Sequence, residues 1–170
     1  NGSAMFGLDA KIAGMVYARP VIPPTRNESK VTSVDESAAK TVPGYRGHLV
    51  LDDPSGTVPG WVLALGDSFV AADRAVRALK VTWENGSTAK VSDADLEARG
   101  RALIADEAAG SLVVADPGVD AAFASAKSRL EAVYTTDAAL HFQMEPLNAL
   151  AFERNGVFEI HAGNQWQSLI

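Results

Sequence analysis

Apolar residues along this chain recur with a period of two in some stretches and near 3.6 in others, and the changes of period outline its elements. Residues 11–19 (Lys-Ile-Ala-Gly-Met-Val-Tyr-Ala-Arg) read as a strand closed by Pro20 and Pro23-Pro24. Residues 29–35 alternate and predict a second strand, with Asp35 placed to cap a short helix over 36–40. Pro43-Gly44 marks a turn, and residues 45–51 form a third strand. The unbroken apolar run Trp61-Val62-Leu63-Ala64-Leu65 predicts a central strand. Phe69, Ala72, Ala75, Val76 and Leu79 then recur at helical spacing behind Asp67 and Ser68, either of which could cap the helix. Residues 79–83 return to period two. Strand, helix and strand in such quick succession predict one right-handed crossover.

Beyond Asn85-Gly86 the apolar stripe thins. Ser92-Asp93-Ala94-Asp95 predicts a capped, charged surface helix to about residue 108, with a narrow stripe of Leu96, Leu103 and Ile104. A short strand over 111–114, an Ala-rich helix from Asp116-Pro117-Gly118 to about residue 128, and a strand over 129–136 are expected next. Residues 149–154 and 157–161 flank Asn155-Gly156, a strong hairpin signal. Helices give way to strands near residue 129, which sets the expected domain boundary. The fold class is α+β.

Composition narrows the function classes. With 47% hydrophobic residues, a chain of 170 residues can bury a core. Fifteen Lys and Arg against 21 Asp and Glu give a net charge of −6, which argues against a nucleic-acid partner. With no cysteine, this chain ligates no iron–sulfur cluster and builds no thiolate zinc site. No apolar run is long enough for a membrane helix. Asn1-Gly2-Ser3-Ala4 has neither Met nor a signal-peptide pattern, so the chain is expected to be cut at both ends.

The densest candidate chemistry lies in His141-Phe142-Gln143-Met144-Glu145-Pro146-Leu147-Asn148. Pro146 restricts Glu145 to extended geometry, so the backbone aims its carboxylate. Two readings stay open: Glu145 lines a site, or it is a hydrogen-bonded acid that ties two loops together. His141 is likewise either a site residue or a satisfied buried histidine. His48 and His161 read as isolated in strands. A zinc set of His141, Glu145 and His161 has no helix or fixed turn to support it. Gln165, at a strand end after Gly163-Asn164, could point a neutral amide into a pocket, or it is an edge-strand residue. Trp166 is core or pocket wall. Ser68 has no nearby histidine and reads as a cap, not a nucleophile.

Several segments, in order, resemble one family: Ala4-Met5-Phe6-Gly7-Leu8-Asp9 with Gly14-Met15-Val16-Tyr17-Ala18, then Val34-Asp35 with Ser37-Ala38-Ala39 and Val42-Pro43-Gly44-Tyr45, then 61–72 with 78–83, then Tyr134 with the His-x-x-Met-Glu-Pro-x-Asn run at 141–148. They resemble the large, molybdenum-binding subunit of the xanthine dehydrogenase and aldehyde oxidase family. The 141–148 run is most similar to the branch of isoquinoline 1-oxidoreductase beta subunits and membrane-associated aldehyde dehydrogenases. The resemblance implies an α/β hammerhead domain over residues 1–129. It implies the first strands of a molybdopterin-binding domain over 130–170. Gln165 would be the cofactor-binding residue whose amide approaches an oxo ligand of molybdenum, with Asn164 standing where many members have Thr. His141, Glu145 and Asn148 would support the site.

The family's glycine-rich cofactor loops and catalytic glutamate lie beyond the matched segments. No catalytic residue and no metal ligand is therefore expected within this chain, and the chain alone is expected to be inactive and to bind no cofactor. The whole subunit would carry molybdopterin and oxidise an aldehyde or N-heteroaromatic with water as oxygen source. Its partners would be the rest of the large subunit and a small iron–sulfur or cytochrome subunit, in a bacterial periplasmic or membrane-associated setting. The alternative is a free-standing, non-catalytic hammerhead-type interaction module. Residues 130–170 are expected to expose Val133, Phe142, Leu147, Phe152, Phe158 and Trp166 beside open strand edges.

Overall fold

The computed structural model describes residues 2–137, 139 and 143–163. The chain divides into two compact units, Gly14–Ser111 and the combination of Asn1–Ala13 with Leu112–Ile170.

In the unit Gly14–Ser111 the elements are β1 (Tyr17–Val21), β2 (Lys30–Asp35), β3 (Tyr45–Val50), β4 (Val62–Gly66), α1 (Phe69–Ala78), β5 (Lys80–Glu84) and α2 (Asp93–Ala105). The expected central strand is central: β4 pairs antiparallel with β1 on one side and β3 on the other. Alternate β4 residues Val62, Ala64 and Gly66 are buried, as the period of a strand requires. Helix α1 buries Ala71, Ala72 and Ala75. Ala39, Ala64, Ala75 and Leu79 form the core, with Val21, Val34, Tyr45 and Val76 packed around it. Small side chains let the helix approach the sheet closely. Ser68 caps α1 by accepting from the Ala71 N–H at 3.2 Å, as its position predicts.

Two strand readings are corrected here. The first strand begins at Tyr17, not Lys11, and runs through Pro20 to Val21. Pro20 faces Leu63 in an edge strand, where a residue without an N–H is tolerated. The expected crossover is absent, because β4 and β5 lie in different sheets. Strand β5 pairs antiparallel with β2 in a two-stranded ribbon that sets Val31 against Trp83 and Val34 against Val81. A strand–helix–strand pattern fixes the order of elements, whereas the choice of edge is made by a strand distant in sequence. The helix expected from Asp35 is a single 3-10 turn, Ala39–Thr41, and Asp35 accepts from the Ser37 N–H at 2.9 Å. Helix α2 buries no residue, and its capping box is formed by Ser92 and Asp95.

The second unit holds α3 (Val119–Ser125), β6 (Ala149–Arg154) and β7 (Val157–Ala162). Strands β6 and β7 form the expected hairpin, paired from Ala149–Ala162 to Arg154–Val157. Asn155 (φ 54°) and Gly156 (φ 78°) supply the two left-handed residues that a tight type I′ turn requires. The strands expected over 111–114 and 129–136 do not form: Val113 and Tyr134 are each 90% exposed. A strand needs a hydrogen-bonding edge, and no segment among the described residues pairs with either stretch. No helix among the described residues is long and apolar enough to cross a membrane.

Candidate functional site

Of the residues singled out from the sequence, His141, Phe142, Asn164, Gln165 and Trp166 lie outside the described residues. Glu145 and Asn148 stand in the loop that leads into β6, both half-buried. One oxygen organises this corner. Glu145 Oε1 accepts the Gly7 backbone N–H at 2.9 Å and the Asn148 Nδ2 amide at 3.2 Å. The same Asn148 amide donates to the Pro146 carbonyl at 2.8 Å. Gly7 opens the 3-10 turn Gly7–Asp9, whose entry is closed by the Phe6 N–H donating to Asp9 Oδ2 at 3.1 Å. A side chain at Gly7 would collide with the Asn148 carboxamide. Two of the segments that carry the family resemblance, 138 residues apart in sequence, thus meet at a single carboxylate. The geometry is that of an acid tying two loops together. Gly7 is the residue that sequence reading missed: a glycine has no side chain to announce a role, and its partner is remote.

The hairpin beyond Asn148 has two unlike faces. On one, the Phe152 and His161 rings stack at 5.4 Å, and the Arg154 guanidinium lies 4.9 Å over Phe152. Glu159 lies 3.3 Å from His161 Nε2 and 3.9 Å from Arg154 Nε. His161 is therefore packed, not isolated. On the other face Phe158 and Ile160 are 67% and 58% exposed. Val133 and Leu147 are exposed as expected, whereas Phe152 is half-buried by its stack. No group of three or more His, Cys, Asp or Glu among the described residues could hold a metal ion.

The Gly14–Ser111 unit carries a second polar cluster that sequence reading also missed. Glu36 Oε2 accepts the Tyr45 hydroxyl at 2.9 Å and lies 3.1 Å from His48 Nδ1, while Oε1 meets Lys40 Nζ at 2.6 Å. His48 therefore has partners, contrary to its reading as an isolated strand histidine. The Lys40 ammonium, then Tyr45 and His48, hold the Glu36 carboxyl down at about 2. Burial, reinforced by the neighbouring carboxylate, pushes the Tyr45 phenol up to about 12. A third group joins the loop before β2 to later segments. Thr25 Oγ1 and Ser29 Oγ are 2.5 Å apart and buried, Thr25 Oγ1 also accepts the Gly86 N–H at 2.8 Å, and Trp83 Nε1 donates to Gly60 O at 2.7 Å. These three groups are held by internal hydrogen bonds and ion pairs that fasten one segment to another.

The fold that positions this corner is of mixed helix and strand, an α+β class. No protein-family model matches the chain. Two curated relatives give the comparison substance. The chain is 54% identical over its whole 170 residues to the membrane-bound aldehyde dehydrogenase [pyrroloquinoline-quinone] of Gluconacetobacter polyoxogenes. It is 29% identical, over 99% of its length, to the isoquinoline 1-oxidoreductase subunit beta of Brevundimonas diminuta. The chain spans 22% of the length of each. Its homologues are thus oxidoreductases of the branch that the ordered segments resemble.

Proposed function

We propose that these residues are part of the large subunit of an oxidoreductase that acts on an aldehyde or an N-heteroaromatic substrate. The observation that carries this reading is the 54% identity, sustained over the whole chain, to a protein named as an aldehyde dehydrogenase. Residues 1–129 are assigned to an α/β hammerhead domain and 130–170 to the first strands of a molybdopterin-binding domain. In this reading Gln165 is the residue nearest the cofactor, and His141, Glu145 and Asn148 support its surroundings. The reaction would oxidise the substrate with water as oxygen source. An iron–sulfur or cytochrome subunit is the proposed electron-transfer partner. A membrane-associated setting is proposed, supported by the name of the first relative.

The cofactor reading has two arms. The family resemblance implies molybdopterin, whereas the name of the first relative carries pyrroloquinoline quinone. The described residues fit neither as a cradle: Glu145 Oε1 and the Asn148 amide are taken up by each other and by Gly7 and Pro146. The test is made on the intact protein encoded by the gene, purified and assayed for aldehyde oxidation with an artificial electron acceptor. Molybdenum is measured by elemental analysis and quinone by its redox stain. Oxidation of an aldehyde with stoichiometric molybdenum is expected. An intact protein that oxidises neither substrate class overturns the reading, and quinone without molybdenum overturns its cofactor assignment.

A further inference from the structure

Tyr45 and His48 stand three residues apart in β3, a spacing that a regular strand sends to opposite faces. Here both reach the same oxygen, Glu36 Oε2. The cause is a bulge. Tyr45 faces Gly66 and Gly47 faces Leu65, so two steps along β3 match one along β4 and the register slips between them. Gly47 holds a φ of 119°, which favours glycine. A Cβ there would meet open space, so the need for glycine is conformational and not steric. Glu36 arrives from the turn after β2, where its carbonyl accepts the Lys40 N–H at 2.9 Å. Tyr45 is packed against the core, which fixes its phenol.

Glu36 Oε2 lies 2.9 Å from Tyr45 Oη and 3.1 Å from His48 Nδ1, and the last two are 3.5 Å apart. Nitrogen and oxygen ligands sit about 2.0–2.2 Å from a transition-metal ion, so neighbouring ligand atoms on one ion are roughly 3 Å apart. The triangle has that size. Lys40 takes the other carboxylate oxygen, Oε1, and leaves Oε2 to the phenol and the imidazole. The Glu36 and His48 side chains keep 26% and 25% of their surface, enough for an ion to reach them from solvent. His48 Nε2 has no partner among the described residues and is not enclosed, so the ring proton can sit there and free the Nδ1 lone pair.

We propose that Glu36, Tyr45 and His48 form a site for a transition-metal ion, with Cu²⁺ preferred. Mixed nitrogen and oxygen donors suit Cu²⁺, which also heads the affinity order of the divalent first-row ions. On binding, the Tyr45 phenol loses its proton to solvent and the Nδ1 proton of His48 moves to Nε2. Carboxylate and phenolate then balance the charge of the ion, and water completes its coordination. The third donor is a phenol on the far side of a bulge, which is why no pattern of His, Asp and Glu in the sequence announces the site. The inference stands apart from the functional reading above.

The test titrates the untagged 170-residue chain, stripped with a chelator, with Cu²⁺. The parent carries His141→Ala and His161→Ala, so that His48 is the one histidine of the three that remains. Saturable uptake of a single ion is expected, with a visible phenolate-to-copper charge-transfer band. Without the ion the phenol stays protonated at neutral pH, because its pKa is pushed up to about 12, so the band reports Tyr45 on the metal. Tyr45→Phe should abolish the band. His48→Ala and Glu36→Gln should each weaken binding about tenfold or more. No saturable uptake overturns the site. So does a band that survives Tyr45→Phe, or a folded His48→Ala that binds as tightly as its parent. Electron paramagnetic resonance of the copper-loaded parent decides even where a variant fails to fold. Hyperfine coupling to one imidazole nitrogen is expected, and its absence overturns the site.

Discussion

Glu36, just past the end of β2, gathers three partners onto two oxygens, so its protonation is felt at Lys40 and in β3. Its folded-state pKa, about 2, lies below the usual carboxylate value of 4.5. The cluster's contribution to stability is therefore complete above about pH 4.5 and is lost as the pH falls toward 2. Urea titrations of wild type and Glu36→Gln should differ most near neutral pH and converge as the pH approaches 2; a constant gap across that window would mean that the charge of Glu36 is immaterial. Tyr45 has the opposite sign: its pKa is raised from 10 to about 12. Its contribution is complete below pH 10 and fades as the pH rises toward 12. Legibility at this scale follows sequence distance. Ser68 and Ser92 were readable as caps because their partners lie three residues on. Glu36 was not, since Tyr45 and His48 stand nine and twelve residues away across a turn.

Among the elements, the β2–β5 ribbon depends on Trp83, which packs half-buried opposite Val31 and donates to Gly60 O. Trp83→Ala should destabilise by roughly 2–4 kcal/mol, below the upper end for a wholly buried ring, through lost packing and an unpaired carbonyl. A loss under about 1 kcal/mol in denaturant titration would mean that the ring adds little to the ribbon. Ser68→Ala should cost about 1 kcal/mol, read in the same titration, by leaving the Ala71 N–H of α1 without its cap. The hairpin was legible because Asn155-Gly156 encodes its own turn, and the two left-handed residues sit where that turn needs them. The segments at 111–114 and 129–136 have strand composition but no edge to pair with among the described residues, and composition alone does not supply one.

For the molecule as a whole, the two units differ in how much core they own. Val62, Ala64, Ala71, Ala72, Ala75 and Leu79 are buried within Gly14–Ser111. A polypeptide of residues 14–111 is expected to unfold in one cooperative transition; a gradual, non-sigmoidal loss of tryptophan fluorescence in urea would overturn that. The hairpin, by contrast, exposes Phe158 and Ile160 beside strand edges that are open among the described residues. Such a surface invites pairing with another chain. The 170-residue chain alone should therefore sediment as larger species with rising concentration, and a single monomer peak up to high concentration would count against an open edge there.

The amino-acid sequence by itself determined the local features of this protein: the caps at Ser68 and Ser92, the apolar central strand, the Asn155-Gly156 hairpin and the order of family-like segments. Each is encoded by residues within a few positions of one another, so local geometry and hydrophobic period suffice. Tertiary structure alone decided which sheet β5 joins, that Pro20 lies inside an edge strand, and that Gly7 meets Glu145. These depend on contacts between distant residues, where many strand edges and many acceptors compete, and only the packing of the whole unit selects among them.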